Sequence, residues 1–147
     1  MLLGNYFGVI SHKRRTAIPK KLLNQLGGKV FFAKWYEGCL VLVGEEGFNA
    51  LLEKLIGEPK VMVKAVRETE RFILGSSFEF IPDQQGRVVL PPELVEHAEL
   101  KEKLVFLGLR NRIEVWSYEK WLQKERELLV KAEKIIEELG ESKNGRE

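Results

Sequence analysis

The chain carries one pattern twice, and this internal repeat constrains its fold more than any other feature. Residues 8–19 align without a gap on residues 80–91, so that Arg15 matches Arg87 and Pro19 matches Pro91. After a two-residue insertion the alignment continues in two further segments: residues 29–33 fall on 103–107, and residues 40–43 fall on 114–117. Each copy therefore predicts the same order of elements, namely strand, turn, strand, proline, helix, strand, strand and helix.

Each copy is too short to be stable by itself. A unit of about 50 residues rarely buries enough apolar surface to fold alone, so we expect the two copies to pack on each other through a shared sheet. This predicts an α+β fold with a β-rich core and pseudo-twofold symmetry. We assign residues 1–56 and 76–123 to the two copies, 57–75 to a linking helix, and 124–147 to a C-terminal helix and tail.

Two predicted helices flank the second copy. Residues 61–74 have the spacing of a connecting helix that ends at Gly75. A longer helix is predicted from about Tyr118 to Gly140, and the polar tail beyond it is expected to be frayed. Its apolar residues recur at helical spacing over residues 121–139. Because this stripe is longer than one small domain can cover, we expect its far end to meet a neighbouring subunit.

The composition argues against an enzyme or a metalloprotein. Cys39 is the single cysteine, and His12 and His97 are the two histidines of the chain, which argues against a disulfide framework and against thiolate or histidine metal sites. Cys39 lies in an apolar run and is expected to be a buried small hydrophobe. The sequence contains no phosphate-binding glycine loop and no nucleophile elbow. We expect neither catalysis nor a bound cofactor or metal.

No apolar stretch approaches the length of a membrane helix, and the N-terminal residues lack the features of a signal peptide. The chain is therefore expected to be cytoplasmic, with no membrane partner.

Basic residues are concentrated near the N-terminus. Residues 1–36 contain seven Lys or Arg and no Asp or Glu, whereas the rest of the chain holds 17 basic and 22 acidic residues. The net charge of +2 for the whole chain hides this asymmetry. A basic segment of this kind favours a polyanionic partner.

The repeated turn is the strongest candidate for a functional site. In the second copy, Asp83 and Gly86 stand between apolar strands, with Arg87 opening the next strand. Asp83 can accept backbone amides and Gly86 can adopt a left-handed conformation, which predicts a tight hairpin turn. Arg87 is then expected to lie within reach of the Asp83 carboxylate.

The first copy replaces the acid and the glycine of this turn. Ser11 stands where the second copy has Asp83, and Arg14 stands where it has Gly86. Three consecutive cations, Lys13, Arg14 and Arg15, are therefore expected to project from one loop. Such a loop can follow a phosphate backbone, and arginine can also contact a guanine edge. A merely solvated basic loop is the alternative interpretation.

The sequence lacks the patterns that indicate other nucleic-acid-binding motifs. Nothing in the sequence has the pattern of a helix-turn-helix or a zinc finger, so contact with DNA would come from hairpin loops and strands. The aromatic pairs Phe31-Phe32 and Trp35-Tyr36 follow strand alternation and are interpreted as core, not as a platform for stacking bases. Double-stranded DNA is therefore the expected partner.

Three stretches of the chain carry a recognisable pattern: Asp83-x-x-x-Arg87 followed by Val-Val-Leu-Pro-Pro, the duplicate that ends in Arg15-Thr-Ala-Ile-Pro19, and the opening Met-Leu-Leu-Gly-Asn-Tyr. In these stretches and their order the chain resembles the MraZ family. The resemblance spans roughly residues 1–125 and includes Arg67 and Arg71 of the predicted linking helix. The resemblance implies two tandem AbrB-like repeats with swapped hairpins.

The resemblance also implies a function. Proteins of this family are regulators of the division and cell-wall gene cluster that assemble into rings on repeated promoter boxes, which implies a homo-oligomeric, nucleoid-associated repressor. The DNA-binding positions of the family correspond here to Asp83, Arg87 and Arg15, whereas Ser11 and Arg14 depart from the family's Asp and Gly. The alternative is an antitoxin-like module of AbrB fold that binds a partner protein through its C-terminal helix.

Overall fold

The computed structural model describes residues 1–57 and 62–144. Residues 58–61 of the predicted linking segment and residues 145–147 of the predicted tail therefore lie outside the described part. The strands are β1 (Leu2–Val9), β2 (Arg15–Ala17), β3 (Val30–Lys34), β4 (Leu40–Gly44), β5 (Phe78–Phe80), β6 (Arg87–Val89), β7 (Lys103–Arg110) and β8 (Ile113–Ser117). The helices are α1 (Lys20–Leu23), α2 (Glu45–Leu55), α3 (Lys64–Ile73), α4 (Pro92–Ala98) and α5 (Tyr118–Asn144).

Six strands form one antiparallel sheet in the order β1-β7-β8-β4-β3-β5. The first strand of each copy pairs with the other copy: β1 lies against β7, and β5 lies against β3. The two copies meet at the centre of the sheet, where β4 pairs with β8. Because each copy completes the sheet of the other, the fold is a pseudo-twofold α+β unit of two tandem AbrB-like repeats, as the sequence predicted.

The remaining two strands form a separate ribbon that obeys the same symmetry. In this ribbon β2 runs antiparallel to β6, with Thr16 opposite Val88 at its centre. Arg15 faces Val89 and Ala17 faces Arg87, so exchange of the two copies leaves the pairing unchanged. The pseudo-twofold axis therefore passes through the middle of the ribbon.

The structure corrects the sequence alignment of the fourth strands by one residue. Val30 pairs with Gly44 in the first copy and Leu104 pairs with Ser117 in the second. Leu40 is therefore equivalent to Ile113 and not to Glu114. Leu40 follows its strand partner Lys34 by six residues, whereas Ile113 follows its partner Gly108 by five.

Strand alternation divides the core into two layers, one on each face of the large sheet. The first layer lies between the sheet and the ribbon with α1 and α4, and it includes Phe32, Leu90 and Phe106. The second layer lies under α2, α3 and the start of α5, and it includes Phe48 and Trp116. The ribbon is thus supported from below by buried apolar side chains, while its outer face is open to solvent.

Helix α5 begins at Tyr118, as predicted, but it does not end at Gly140. The helix continues to Asn144, so the prediction of a frayed segment immediately after Gly140 is wrong for the described residues. A glycine within a helix costs only about 1 kcal/mol relative to alanine. The strong helix-forming residues that precede Gly140 supply enough helical preference to carry the helix past it.

Candidate nucleic-acid interface

The loop of the second copy is a tight turn organised by one carboxylate. The Gly86 amide donates to the Asp83 carbonyl at 2.9 Å, and the Asp83 amide donates to the Arg87 carbonyl at 3.2 Å. Asp83 Oδ1 accepts the amides of Gln85 and Arg87, both at 2.9 Å. Gly86 has φ +75°, the left-handed conformation that the sequence required of it. The predicted turn is therefore present.

The same carboxylate also holds the side chain of Arg87. Arg87 Nε donates to Asp83 Oδ2 at 2.7 Å, although both side chains are almost half exposed. The hydrogen bonds from the Arg87 backbone amide and guanidinium hold the pKa of Asp83 below its ordinary value. Asp83 is therefore ionised at neutral pH, and the charges of this loop cancel.

The loop of the first copy has the same backbone with a different acceptor. The Arg14 amide donates to the Ser11 carbonyl and the Ser11 amide donates to the Arg15 carbonyl, both at 2.9 Å. Ser11 Oγ accepts the Arg15 amide at 3.2 Å, which is the role that Asp83 Oδ1 has toward Arg87. Arg14 takes the left-handed conformation of Gly86, with φ +62°. The turn geometry thus survives both substitutions.

Arg14 differs from its two neighbours in where its side chain lies. Its Nε donates to the Leu90 carbonyl at 2.9 Å, and the residue is half-buried, whereas Lys13 and Arg15 are exposed. The expectation that all three cations project from the loop is therefore wrong for Arg14. The carbonyl of a strand end in the other copy draws its guanidinium inward, and this could not be inferred from spacing within one loop.

Lys13 and Arg15 form the uncompensated part of the surface. Within residues 1–57 and 62–144, neither side chain makes a hydrogen bond or an ion pair. The neutral Ser11 offers Arg15 no opposing charge. An excess of positive charge therefore faces solvent beside the first loop and not beside the second.

The ribbon brings the two loops onto one surface. Thr16 and Val88 are buried, whereas Arg15, Ala17, Arg87 and Val89 are exposed on the opposite face. Hydrogen bonds between the two copies hold the loops against the ribbon symmetrically: the Leu90 amide donates to the Arg14 carbonyl, and the Ile18 amide donates to the Gly86 carbonyl. Arg15 and Arg87 line the same shallow cleft of about 410 Å³.

Sequence reasoning missed two residues of this surface. Ala17 and Val89 lie beside the arginines on the outer face, each opposite an arginine of the other strand. The alternation of buried and exposed residues in β2 and β6 is the signal that could have found them. The pairing of β2 with β6, which places them beside Arg87 and Arg15, has no signature within either strand.

The described residues elsewhere show no arrangement that suggests catalysis. Cys39 is fully buried, and burial raises the pKa of its thiol far above the ordinary range. The buried carboxylate of Glu114 accepts hydrogen bonds from Trp116 Nε1 and Arg112 Nε, both at 3.0 Å. Both groups therefore have structural roles.

Among residues 1–57 and 62–144, no group of His, Cys, Asp and Glu side chains could hold a metal ion. None of the helices in that part is long and apolar enough to cross a membrane.

A duplicated, strand-swapped fold with matched hairpin loops defines a tandem AbrB-like protein. Comparison with known proteins gives the particular family. Residues 73–139 match the family model of the "MraZ protein", which is described as "antitoxin-like". The similarity to individual relatives extends over nearly the whole chain.

Relatives that carry the description transcriptional regulator MraZ include proteins of three bacteria. The protein of Caldanaerobacter subterraneus subsp. tengcongensis is 34% identical, over 95% of this chain and 96% of its own length. The protein of Thermoanaerobacter pseudethanolicus is 34% identical over 96% of this chain and 98% of its own. That of Caldicellulosiruptor saccharolyticus is 34% identical over 95% and 99%. The chain belongs to the MraZ family of transcriptional regulators, and this membership confirms the expectation that it is not an enzyme.

Proposed function

We propose that this protein is a sequence-specific regulator that binds double-stranded DNA through the β2–β6 ribbon and its two loops. The observation that carries the proposal is the outer face of the ribbon, where Arg15 and Arg87 line one cleft. The major groove of B-DNA is wide enough for a two-stranded ribbon. The loops at the ends of the ribbon would then reach the phosphates on either side, with Lys13 as a further cation.

The proposal includes a homo-oligomer, because a single ribbon makes too few contacts for tight binding. Several copies on one DNA raise the effective concentration of each remaining ribbon, and avidity can exceed the affinity of one contact by about a hundredfold or more. This requires that the spacing of the promoter boxes match the spacing of the subunits. A ring on repeated boxes, acting as a cytoplasmic and nucleoid-associated repressor of the division and cell-wall gene cluster, is the form that the family resemblance implies.

Exposed apolar surfaces on the chain support self-association. Beyond its first turns, helix α5 has Leu129, Val130 and Ile136 exposed at 74%, 85% and 70%. A second apolar surface lies on the edge strand β1, where Phe7 and Val9 are each 69% exposed. A closed ring requires two different surfaces that fit each other. We propose that the exposed apolar residues Leu129, Val130 and Ile136 of one subunit contact the β1 surface of the next.

Two experiments test the proposed function. Selection of genomic fragments that bind the full-length protein should enrich repeated boxes in a promoter region, whereas enrichment without a shared sequence would contradict specific recognition. Light scattering should find a large homo-oligomer that becomes smaller when the chain is truncated after Gln123. Because truncation also removes part of a helix, the full-length variant Leu129→Glu/Ile136→Glu serves as the matched change. Native mass in both variants would exclude α5 from assembly.

The distal part of α5 also supports a second candidate function. An exposed apolar helix is a surface that an antitoxin-like module uses to bind a partner protein, and the matched family model is described as "antitoxin-like". The two functions differ in the state of the isolated protein. A large closed oligomer in the absence of any partner favours the regulator, whereas a monomer or small oligomer favours the antitoxin-like module.

A further inference from the structure

We propose that the two arginines of the ribbon have different roles in DNA recognition: Arg87 reads a guanine edge, and Arg15 binds phosphate. Sequence discrimination would then depend on the second copy of the repeat, and electrostatic affinity on the first. The inference rests on the proposed function, since it assumes that the ribbon meets DNA. It goes beyond that function in assigning separate tasks to two residues that symmetry would make equal.

The side chain of Arg87 is held in one orientation by the Asp83 carboxylate. Its Nε bonds to Asp83 Oδ2 at 2.7 Å, and the other carboxylate oxygen is held by the amides of Gln85 and Arg87 at 2.9 Å. The carboxylate is thus fixed to the backbone of the turn, and it fixes the guanidinium in turn. Nη1 and Nη2 of Arg87 make no hydrogen bond within the described residues.

Nη1 and Nη2 of Arg87 suit the major-groove edge of guanine. Guanine presents two acceptors in the major groove, O6 and N7, and a planar guanidinium matches them with two parallel N–H groups. A side chain that is already oriented loses less conformational entropy when it binds. The geometry of Arg87 therefore suits a directional contact with a base.

Among the described residues, no carboxylate orients Arg15 as Asp83 orients Arg87. Ser11 Oγ accepts the backbone amide of Arg15 at 3.2 Å, and within the described residues nothing bonds to its guanidinium. Its charge is not neutralised, and the exposed Lys13 adds to it. A guanidinium that is not held in one orientation suits a phosphate group, whose oxygens accept hydrogen bonds from many angles.

The two loops also differ in the net charge that they present to the DNA phosphates. Asp83 offsets the charge of Arg87, so the second loop adds little to the electrostatic attraction of DNA. The first loop has no acid to offset Lys13 and Arg15. The two tasks are therefore separated mainly by the presence of Asp83 in one copy and Ser11 in the other, and Lys13 adds a further cation to the first loop.

Lysine substitutions test the inference while keeping the charge. Lysine can replace arginine at a phosphate, but its single nitrogen cannot both hold Asp83 and present the planar pair of parallel N–H groups that a guanidinium offers to guanine. The probes are a short duplex selected by the wild-type protein from a random library, and a shuffled duplex of the same composition. For Arg87→Lys we expect discrimination between these duplexes to fall roughly tenfold to a hundredfold, with the salt dependence unchanged. For the matched variant Arg15→Lys we expect affinity for both duplexes to fall by a similar modest factor, so that discrimination falls much less than in Arg87→Lys.

A modified base identifies the partner of each arginine. Replacing guanines of the selected duplex one at a time by 7-deazaguanine removes the N7 acceptor. One such replacement should weaken binding by the wild type and by Arg15→Lys, and should have no further effect on Arg87→Lys. Asp83→Asn, which keeps an oxygen for the backbone amides but loses the charge that holds Arg87, should lower discrimination while raising affinity for the shuffled duplex.

The outcomes separate this inference from the proposed function. Equal loss of discrimination in Arg15→Lys and Arg87→Lys, or a 7-deazaguanine effect that disappears only in Arg15→Lys, would overturn the division of roles and leave DNA binding in place. A wild-type protein that binds neither duplex would overturn the proposed function, and the inference with it. Circular dichroism of each variant confirms that the fold is retained, and since both arginines are exposed, we expect it to be.

Discussion

The loop at residues 11–15 and the loop at residues 83–87 have one backbone and two charge distributions. Both close with the same pair of backbone hydrogen bonds, and both place a left-handed residue at the fourth position. In the second loop a carboxylate holds the arginine at 2.7 Å. In the first loop a serine hydroxyl keeps the backbone contact at 3.2 Å and leaves the arginine without a partner among the described residues.

This comparison shows that the turn and its charge are set by different atoms. A serine oxygen is enough to accept the amide four residues later, so the carboxylate is not needed for the turn. Arginine can occupy the glycine position because its side chain gains a hydrogen bond to the Leu90 carbonyl at 2.9 Å. That bond contributes about 1 kcal/mol, which is similar to the cost of the left-handed conformation for a residue with a Cβ atom. The charge of a loop can therefore change while its shape is kept.

The largest expected effect is the loss of DNA affinity when the cations of the first loop are removed. Replacing Lys13, Arg14 and Arg15 together by alanine should weaken binding to a promoter fragment about a hundredfold, because each phosphate contact contributes roughly tenfold near 0.1 M salt. The loss should exceed that of Arg87→Ala, and among the three single changes Arg15→Ala should weaken binding most. Fluorescence anisotropy at several salt concentrations measures both affinity and slope, and the slope should fall by about 0.9 per lost contact.

Arg14→Ala can also weaken the fold, since it removes the bond to Leu90. The double variant Lys13→Ala/Arg15→Ala avoids this and should keep most of the effect. Unchanged affinity and slope in a folded double variant would mean that DNA does not contact the first loop.

The next effect is on stability, and it compares the two left-handed positions. A Cβ atom on Gly86 would lie 3.2 Å from the Ile18 carbonyl oxygen and 2.8 Å from a Leu23 methyl, at φ +75°. Gly86→Ala should therefore lower the free energy of unfolding by about 1–3 kcal/mol. Arg14→Gly is the reciprocal change and should alter stability little, because it loses one hydrogen bond and relieves one strained residue. Thermal or urea unfolding of both variants measures this, and equal losses would contradict the explanation.

A smaller effect on DNA binding is expected when Ser11 of the first loop is replaced by aspartate, the residue that the second loop has at the equivalent position, Asp83. Ser11→Asp should let the new carboxylate hold Arg15 and offset its charge. DNA affinity should then fall several-fold, and the slope against salt should fall by about 0.9. Ser11→Asn has nearly the same size without the charge and is the control. If the two variants bind alike, charge is not what distinguishes the loops.

The smallest effect is the titration of Asp83. Because its pKa is lowered in the folded protein, the Asp83–Arg87 contact stabilises the fold above about pH 4, the ordinary range of an aspartate, and this contribution is lost as the pH falls through the lowered value. Since the pair is exposed, the change in stability should be small. A carboxyl NMR titration should place the Asp83 midpoint below the ordinary value and move it upward in Arg87→Ala, although the backbone amide keeps part of the shift. An unmoved midpoint would show that the guanidinium does not contribute.

Several features were predictable because they depend on short stretches of chain. The turn around Asp83 follows from Asp and Gly at fixed spacing, the start of α5 at Tyr118 follows from helical periodicity, and the burial of Cys39 follows from its apolar neighbours. The position of Arg14 and the continuation of α5 past Gly140 were not predicted. The position of the Arg14 side chain depends on its hydrogen bond to the Leu90 carbonyl, which is 76 residues away in the chain. The continuation of α5 depends on a balance of small helix preferences among neighbouring residues.

The amino-acid sequence by itself determined that two copies of one unit share a sheet, because units of about 50 residues rarely bury enough apolar surface to fold alone and their turns and prolines recur in register. It also determined the charge difference between the loops, which is written in Ser11 and Asp83. Only the tertiary structure decided that the first strand of each copy pairs with the other copy, and that β2 lies against β6. These pairings join residues distant in the chain, and the order of elements within one copy does not specify them. They place Arg15 and Arg87 in one cleft, and two similar loops thereby become the two halves of a single surface.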